Sequence, residues 1–424
     1  MRIAITVAFI LIAGIAKGQT KLEVSGDLRA RAEYRHGFGT LAAKDQRPAF
    51  FVDQRSRLIA HYVASRYAVK LSLQDVRVWG NQSQMVREDG ALTAMHEAWG
   101  EIFFTQKISA RLGRQEIAMD DHRIFGNVDW AMQARSHDAL VLKYLKSRFE
   151  VQAGLAFNQD KPQLATTYYT IANNYKTFQY LWLHHNDDSF SSSVLFLNNG
   201  KQGGTIDDYK TYYSQTIGLR STYAKKRIKP TIAYYHQLGN EADDTTNINA
   251  SYINVDLKYQ LFSSFSVNAG CELLSGNDRK PSKANRAFNP FYGTNHKFNG
   301  LMDYFYVGNH INNVGLRDYY FHLNYQGKTF SPALQFHFFQ SDGLVTDPED
   351  GSIMSRSLGM EFDLVLQYKF NEEIKFDGGY SQFIQTNTLE VLKGVDAGSM
   401  NNWAWLMVTI KPVFYKTPDP SKTP

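Results

Sequence analysis

Arginines recur at alternate positions in two early segments. In 21–35, KLEVSGDLRARAEYR, Arg29, Arg31 and Arg35 share the odd positions with Glu23, Asp27 and Glu33. In 54–63, QRSRLIAHYV, Arg55, Arg57 and His61 share one parity while Leu58, Ala60 and Tyr62 share the other. A guanidinium is a planar, permanently charged fork that matches a carboxylate. A row of them on one face would attract the carboxylate or sulfate groups of a passing sugar. The interleaved carboxylates leave a second reading open, in which the ladder only sets the field and rigidity of a wall. Of the 20 arginines after residue 18, 14 lie before position 151, so the chemistry is concentrated early.

The element that holds such a face is a strand, because successive side chains point to opposite sides. In 21–35 the even positions Leu22, Val24, Gly26, Leu28, Ala30, Ala32 and Tyr34 are apolar or small, and helical spacing fits nothing there. The same period returns in 149–157, 252–261, 318–325 and 358–370, where Leu358, Met360, Phe362, Leu364, Leu366, Tyr368 and Phe370 form the apolar set. Eight short polar turns, near residues 65, 105, 146, 187, 225, 263, 326 and 371, alternate with nine longer polar segments. Nine hairpins joined by eight turns predict an all-β, antiparallel, up-and-down transmembrane barrel of about 18 strands. Aromatics near strand ends, Trp79, Trp99, Trp182, Trp403, Tyr319 and Phe339, are expected in interfacial girdles. A β-sandwich would need more than one domain at this length and no linker is visible; a β-helix would show a short fixed repeat.

Composition agrees. The mean hydropathy is −0.39, and after the first residues no apolar run approaches the length of a spanning helix. There are 28 Phe, 25 Tyr and 6 Trp to bury, which argues against disorder. A net charge of +5 over 424 residues does not indicate a nucleic-acid partner, and a single cysteine, Cys271, excludes an intrachain disulfide. Met1-Arg2 followed by the apolar stretch 3–16 and Ala16-Lys17-Gly18 reads as a signal peptide over 1–18, cleaved after Gly18. The barrel is expected over 19–415, ending in the strand NNWAWLMVTIKPVFY, with a disordered tail over 416–424.

Two segments break parity. Val69, Leu71 and Leu73 share a phase with Asp75 and Arg77, and Ile108, Ala110 and Leu112 share one with Arg114 and Glu116. Either a bulge, with Gly113 as a plausible position, turns these charges inward, or they lie beyond the bilayer. Neither metal nor cofactor is expected: His184 and His185 point to opposite faces, and no motif frames a serine nucleophile.

KLSLQDVRVW at 70–79, HEAWGEIFF at 96–104, LGRQEI at 112–117 and DDHRIFGNVDWAMQARSHDAL at 120–140 resemble the alginate-export family of outer-membrane barrels. LLSGND at 273–278 and HKFNGLMDYF at 296–305 extend the similarity, which spans about 21–415. The resemblance implies an eighteen-stranded barrel with a narrow, arginine-rich lumen that conducts anionic polyuronate. It places substrate-path arginines at Arg77, Arg114 and Arg135, with Asp75, Glu97, Glu101, Glu116 and Asp138 as carboxylates holding them. The chain is shorter than the exporter and only mildly basic.

Together these readings predict a monomeric channel, not an enzyme, in the bacterial outer membrane. It would pass anionic solutes, uronate-type saccharides among them, by export or uptake. Arg29, Arg31, Arg55, Arg57, Arg77, Arg111, Arg114 and Arg135 would supply the positive potential. Segment 276–312, longer than an ordinary loop, either folds over or into the lumen as a constriction or gate or forms an external loop, and the sequence favours neither. The expected partners are outer-membrane lipid and lipopolysaccharide, the anionic solute, and the barrel assembly machinery. A general diffusion porin, a barrel enzyme and an adhesive barrel are the rival readings.

Overall fold

The structure, a computed structural model, describes residues 20–85, 92–243, 245–279, 282–398 and 400–418. The expected signal peptide lies outside the described residues. The strands are β1 (Lys21–His36), β2 (Ala49–Val63), β3 (Tyr67–Val78), β4 (Thr93–Phe103), β5 (Ile108–Gln115), β6 (His137–Lys146) and β7 (Phe149–Phe157). They continue as β8 (Thr177–Asn186), β9 (Phe190–Gly204), β10 (Tyr209–Tyr223), β11 (Ile228–Asn240), β12 (Asn247–Phe262), β13 (Phe265–Leu274) and β14 (Ala284–Asn285). The last are β15 (Leu316–Tyr325), β16 (Phe330–Gln340), β17 (Ser357–Lys369), β18 (Ile374–Gln385), β19 (Asn401–Ile410) and β20 (Val413–Lys416). Among the described residues one α-helix, α1 (Asn387–Lys393), lies in the loop between β18 and β19.

Each wall strand pairs antiparallel with the next, and β1 closes the sheet on β19 from Leu28↔Ile410 to His36↔Asn402. β13 pairs directly with β15; β14 is a two-residue parallel addition to β12 inside a loop. β20 continues β19 beyond Lys411-Pro412, where Gly26 N–H bonds the Pro412 carbonyl at 2.9 Å. Setting those two aside leaves the 18 strands expected. Closure is what lipid demands, since a barrel leaves no backbone edge unpaired. Lys416 lies in β20 and Thr417 bonds Leu22, so the segment read as a free tail from 416 is paired at its first two residues; 419–424 lie outside the described residues.

The outward phase is apolar, as the period predicted: Leu28, Leu58, Leu257, Phe321 and Leu366 are exposed on the outer surface. Short turns lie at one end, taken as periplasmic, and long loops at the other. Leu358 is a correction. Between Phe339 and Gln340 the β16–β17 register slips, and Gly359 carries the slip at φ +146°. That backbone admits glycine and few other residues, and it turns Leu358 into the lumen, where it is fully buried.

The aromatic girdle is the second correction. Trp79 and Tyr319 do face outward, but Trp99, Trp182, Trp403 and Phe339 are buried on the lumen side. Trp182, Trp403 and Phe339 pack against loops that enter the barrel, and Trp99 packs on His61 and Arg111 of the wall, so much of the aromatic content fills an interior rather than anchoring an interface.

Leu364 and Asp363 sit side by side on opposite faces, and Ser381 Oγ donates to Asp363 Oδ1 at 2.5 Å. Leu364→Arg is expected to cost ~2–4 kcal/mol where it meets the bilayer midplane and to deplete the heat-modifiable folded band. Asp363→Asn keeps an acceptor for Ser381 and should assemble normally. Equal defects in the two would reverse the face assignment.

Candidate functional site

The lumen faces of β1 and β2 set Arg29 directly opposite Arg55. Like charges in that register repel, and the chain resolves this with a carboxylate from a loop. Residues 116–136, between β5 and β6, turn into the barrel and bring Asp129 between the two guanidiniums. Arg29 donates to Asp129 Oδ2 at 2.9 Å and Arg55 to Oδ1 at 2.8 Å, with Arg57 at 3.9 Å. Arg55, fully buried, also bonds Asp27 at 2.7 Å. Arg31 bonds Glu33 at 2.7 Å and Asp53 at 3.1 Å, donates to the Trp130 carbonyl at 2.8 Å, and lies 4.2 Å over the Trp130 ring. Burial alone would raise the Asp129 carboxyl, but Arg29 and Arg55 outweigh it and hold it at about 2. The arginine face is therefore largely neutralised by neighbours, as the second reading of the ladder allowed.

Further round the wall, Arg111 bonds Glu101 at 2.6 Å and lies 3.8 Å over the Trp99 ring, with Lys143 3.4 Å from the same carboxylate. Glu97 faces the lumen and contacts Lys70 and Trp99 Nε1. Glu116 also faces the lumen, bonded to His96 at 2.8 Å and Asn127 at 3.0 Å. Glu116 turns inward because it lies just past the end of β5, with no bulge at Gly113, where both neighbouring registers run unbroken; the slip lies elsewhere. It lies in β4: Ser72 pairs Glu97 and Leu73 pairs Met95, leaving His96 as the extra residue.

Arg77 and Asp75 are a correction. No slip interrupts β2–β3 beside them, so they stay on the outward phase of Leu71 and Leu73 near the loop end of β3. Arg77 donates to both Asp75 oxygens at 2.6 Å, and neither lines the lumen path. Arg114 and Asp138 also keep the outward phase; they face each other across β5–β6 at the rim, 3.1 Å apart. Arg135 enters the barrel with the loop and donates to the Gly293 carbonyl at 3.1 Å.

The described residues of 275–315 form the second inward segment, the first of the two alternatives left open for 276–312. Arg123, at 1% exposure, bonds Glu272 at 2.8 Å and Asn299 at 3.0 Å. Asn299 in turn donates to Glu272 and Asp318, and Asp318 bonds His337 at 3.0 Å. The Met302 N–H donates to Glu361 Oε1 at 2.8 Å. Gly300, at φ +82°, passes so near this carboxylate that a Cβ would lie 2.5 Å from an oxygen. Tyr304, Phe305, Phe339 and Phe383 stack behind it, and Lys393 of α1 donates to the Tyr304 carbonyl at 2.8 Å. Burial pushes the His310 imidazole down to about 3, so it stays neutral while Nε2–H donates to the Gly315 carbonyl at 3.0 Å.

The two inward segments meet across the lumen. Gly126 N–H bonds the Tyr292 carbonyl and Thr294 N–H the His122 carbonyl, each at 2.9 Å, and Trp130 stacks on His296 at 4.4 Å. On the loop side lies a cavity of about 860 Å³ with Arg135 and Lys201 inside and the paired Arg114 and Asp138 at its rim, beside Tyr175, Phe291 and Tyr292. On the turn side lies one of about 810 Å³ with Arg29, Lys297, Lys328, Lys369, Lys375 and Lys411 against Asp129, Glu372, Glu373 and Asp377. Among the described residues, each lining carries a net excess of two cations. Asp129 and the Arg123–Glu272 pair were missed in the sequence. Asp129 stood in the NVDW stretch but no period assigned it a partner, and Arg123 meets Glu272 across 149 residues.

A closed eighteen-stranded barrel, apolar outside and charged inside, with long loops turned into its lumen, is the architecture of an outer-membrane porin-like channel. The chain belongs to the alginate export family, whose sequence pattern matches residues 20–330. No curated protein matches the sequence. Among solved structures, OccAB4 of Acinetobacter baumannii is similar at TM-score 0.62 and 11% identity, covering 94% of this chain and 99% of that one. OccK2 (OpdF) of Pseudomonas aeruginosa, solved in complex with glucuronate, is similar at TM-score 0.62 and 9% identity, covering 93% and 97%. OpdK of Pseudomonas aeruginosa, solved with vanillate, is similar at TM-score 0.59 and 10% identity, covering 92% and 99%. At these identities the likeness shows the fold. The family and the barrel neighbours place the protein in the bacterial outer membrane.

Proposed function

We propose that the protein passes small anionic solutes, monomeric or short uronate-type saccharides among them, passively across the outer membrane. The observation that carries this is the pair of cation-rich cavities on either side of the inward loops. A narrow lumen with low-dielectric walls amplifies such an excess. The aromatic side of the loop-side cavity suits a sugar ring, and the loops packed across the lumen favour a short solute over a long polymer. The carboxylate ligands named for OccK2 and OpdK are of that size and charge. One chain encloses the whole lumen, in keeping with a monomer inserted by the barrel assembly machinery among lipid and lipopolysaccharide. The carboxylates that neutralise Arg29, Arg31 and Arg55 favour a second reading, a general diffusion porin without saccharide preference.

Reversal potentials across planar bilayers separate the two. In a sodium glucuronate gradient the channel should prefer the anion, and Lys201→Gln with Arg135→Gln should shift the potential toward cation preference. At 0.15 M salt the Debye length is ~8 Å and at 1 M ~3 Å, so the shift should shrink at high salt. No preference at low salt would leave the general porin.

A further inference from the structure

At the foot of the first inward loop the wall presents metal-ligating side chains that the channel reading does not use. In an unbroken strand His96 and Glu97 would point to opposite faces. The slip in β4 puts both inside the barrel, at 3% and 4% exposure. Glu116, the first residue after β5, adds a second carboxylate. One ligand atom from each of the three lies within 4.8 Å of the others. Donors bound tetrahedrally at about 2.0–2.2 Å sit roughly 3.4 Å apart, so closing on an ion needs only small side-chain movements.

The surroundings fit the same role. His96 Nε2 faces Glu116 Oε1 at 2.8 Å, while Nδ1 faces Ser136 Oγ at 3.2 Å. A hydroxyl on the far ring nitrogen is the kind of partner that orients a ligating histidine. Asn127 Nδ2 donates to the other Glu116 oxygen at 3.0 Å. Glu97 and Glu116 border a cavity of about 520 Å³, which supplies an entry path and room for a fourth ligand such as water. One imidazole with two carboxylates suits Zn²⁺, whereas Ca²⁺ and Mg²⁺ favour all-oxygen sets.

We propose that His96, Glu97 and Glu116 bind a divalent transition-metal ion, with Zn²⁺ the best fit, and that the ion clips the foot of loop 116–136 to β4. Nε2 gives its lone pair to the metal, and Nδ1–H then donates to Ser136 Oγ. Lys70, whose ammonium contacts Glu97, is the competing cation and withdraws into the cavity. The assignment is independent of which solute the channel passes.

Zn²⁺ titrated calorimetrically into the full-length protein in detergent, without an added histidine tag and with Mg²⁺ as control, tests it. One Zn²⁺ site is expected, abolished by His96→Ala and weakened about 10–100-fold by Ser136→Ala. Lys70→Met should bind more tightly. Co²⁺ should produce a visible absorption band that Glu116→Gln removes. Absence of a Zn²⁺ isotherm in the wild type overturns the assignment, as does wild-type affinity in a heat-modifiable, folded His96→Ala protein. Should His96→Ala fail to assemble, Glu97→Gln and Glu116→Gln decide in the same way: unchanged Zn²⁺ affinity in both overturns it.

Discussion

Glu272→Ala is expected to destabilise the folded barrel by ~3–5 kcal/mol, the cost of stripping a buried charge of its partner. Arg123 sits at 1% exposure with Glu272 at 2.8 Å. Its guanidinium lies 4.9 Å from the Tyr252 ring and 4.5 Å from Phe298, faces that attract a cation but do not neutralise it. Glu272 also accepts from Tyr252 Oη at 2.9 Å and Asn299 Nδ2 at 2.9 Å, so its loss frees a wall tyrosine and a loop anchor together. Glu272→Gln, which keeps acceptor geometry without the charge, should fall between. Arg123→Met on the Glu272→Ala background should recover much of the loss, because removing both charges removes the orphan. Denaturant unfolding of protein refolded into lipid vesicles measures each. An alanine variant as stable as the wild type would mean that water reaches Arg123 and that the loops do not form a dry core.

Asp129→Asn is expected to raise both conductance and anion preference. Asp129 is the carboxylate shared by Arg29, Arg55 and Arg57, from two adjacent strands. Without its charge the arginines repel one another and the loop loses its ion pairs to β1 and β2. The lumen also gains one net positive charge on the turn side, beside the cavity that Arg29 lines. Single-channel conductance and reversal potential at low salt read the two effects separately. The pH dependence follows from the same pair. The carboxyl is held at about 2, below its ordinary 3.8, so its anchoring is present above the ordinary value and is lost as pH falls through about 2. The wild type should therefore keep this anchor from about pH 7 to pH 4, while Asp129→Asn shows the acid-state behaviour at neutral pH. Anion preference rising in the wild type within that window, and absent from Asp129→Asn, would show that the arginines do not hold the carboxylate charged.

The alternation from Leu22 to Tyr34 and from Met360 to Phe370, with short turns separated by long loops, determined the barrel, its strand count and most of its two faces. Strand parity is a local property, so sixteen residues of β1 suffice to show which side chains meet lipid. The same argument failed where one extra residue entered. Nothing in HEAWGEIFF marks His96 as the bulge, and nothing near Gly359 says that Leu358 turns inward, because a slip is chosen by the neighbouring strand's pairing. Parity also could not separate an aromatic in a girdle from one in the lumen. Trp182 and Trp403 suit either place until loops are known to cover them. The fate of the arginines was likewise decided only in three dimensions. Their face was legible, but their charge balance depends on Asp129, which reaches Arg29 across 100 residues of chain. A charge on a wall acts on a passing solute only after its partners are counted, and those partners arrive on loops that have no period to read.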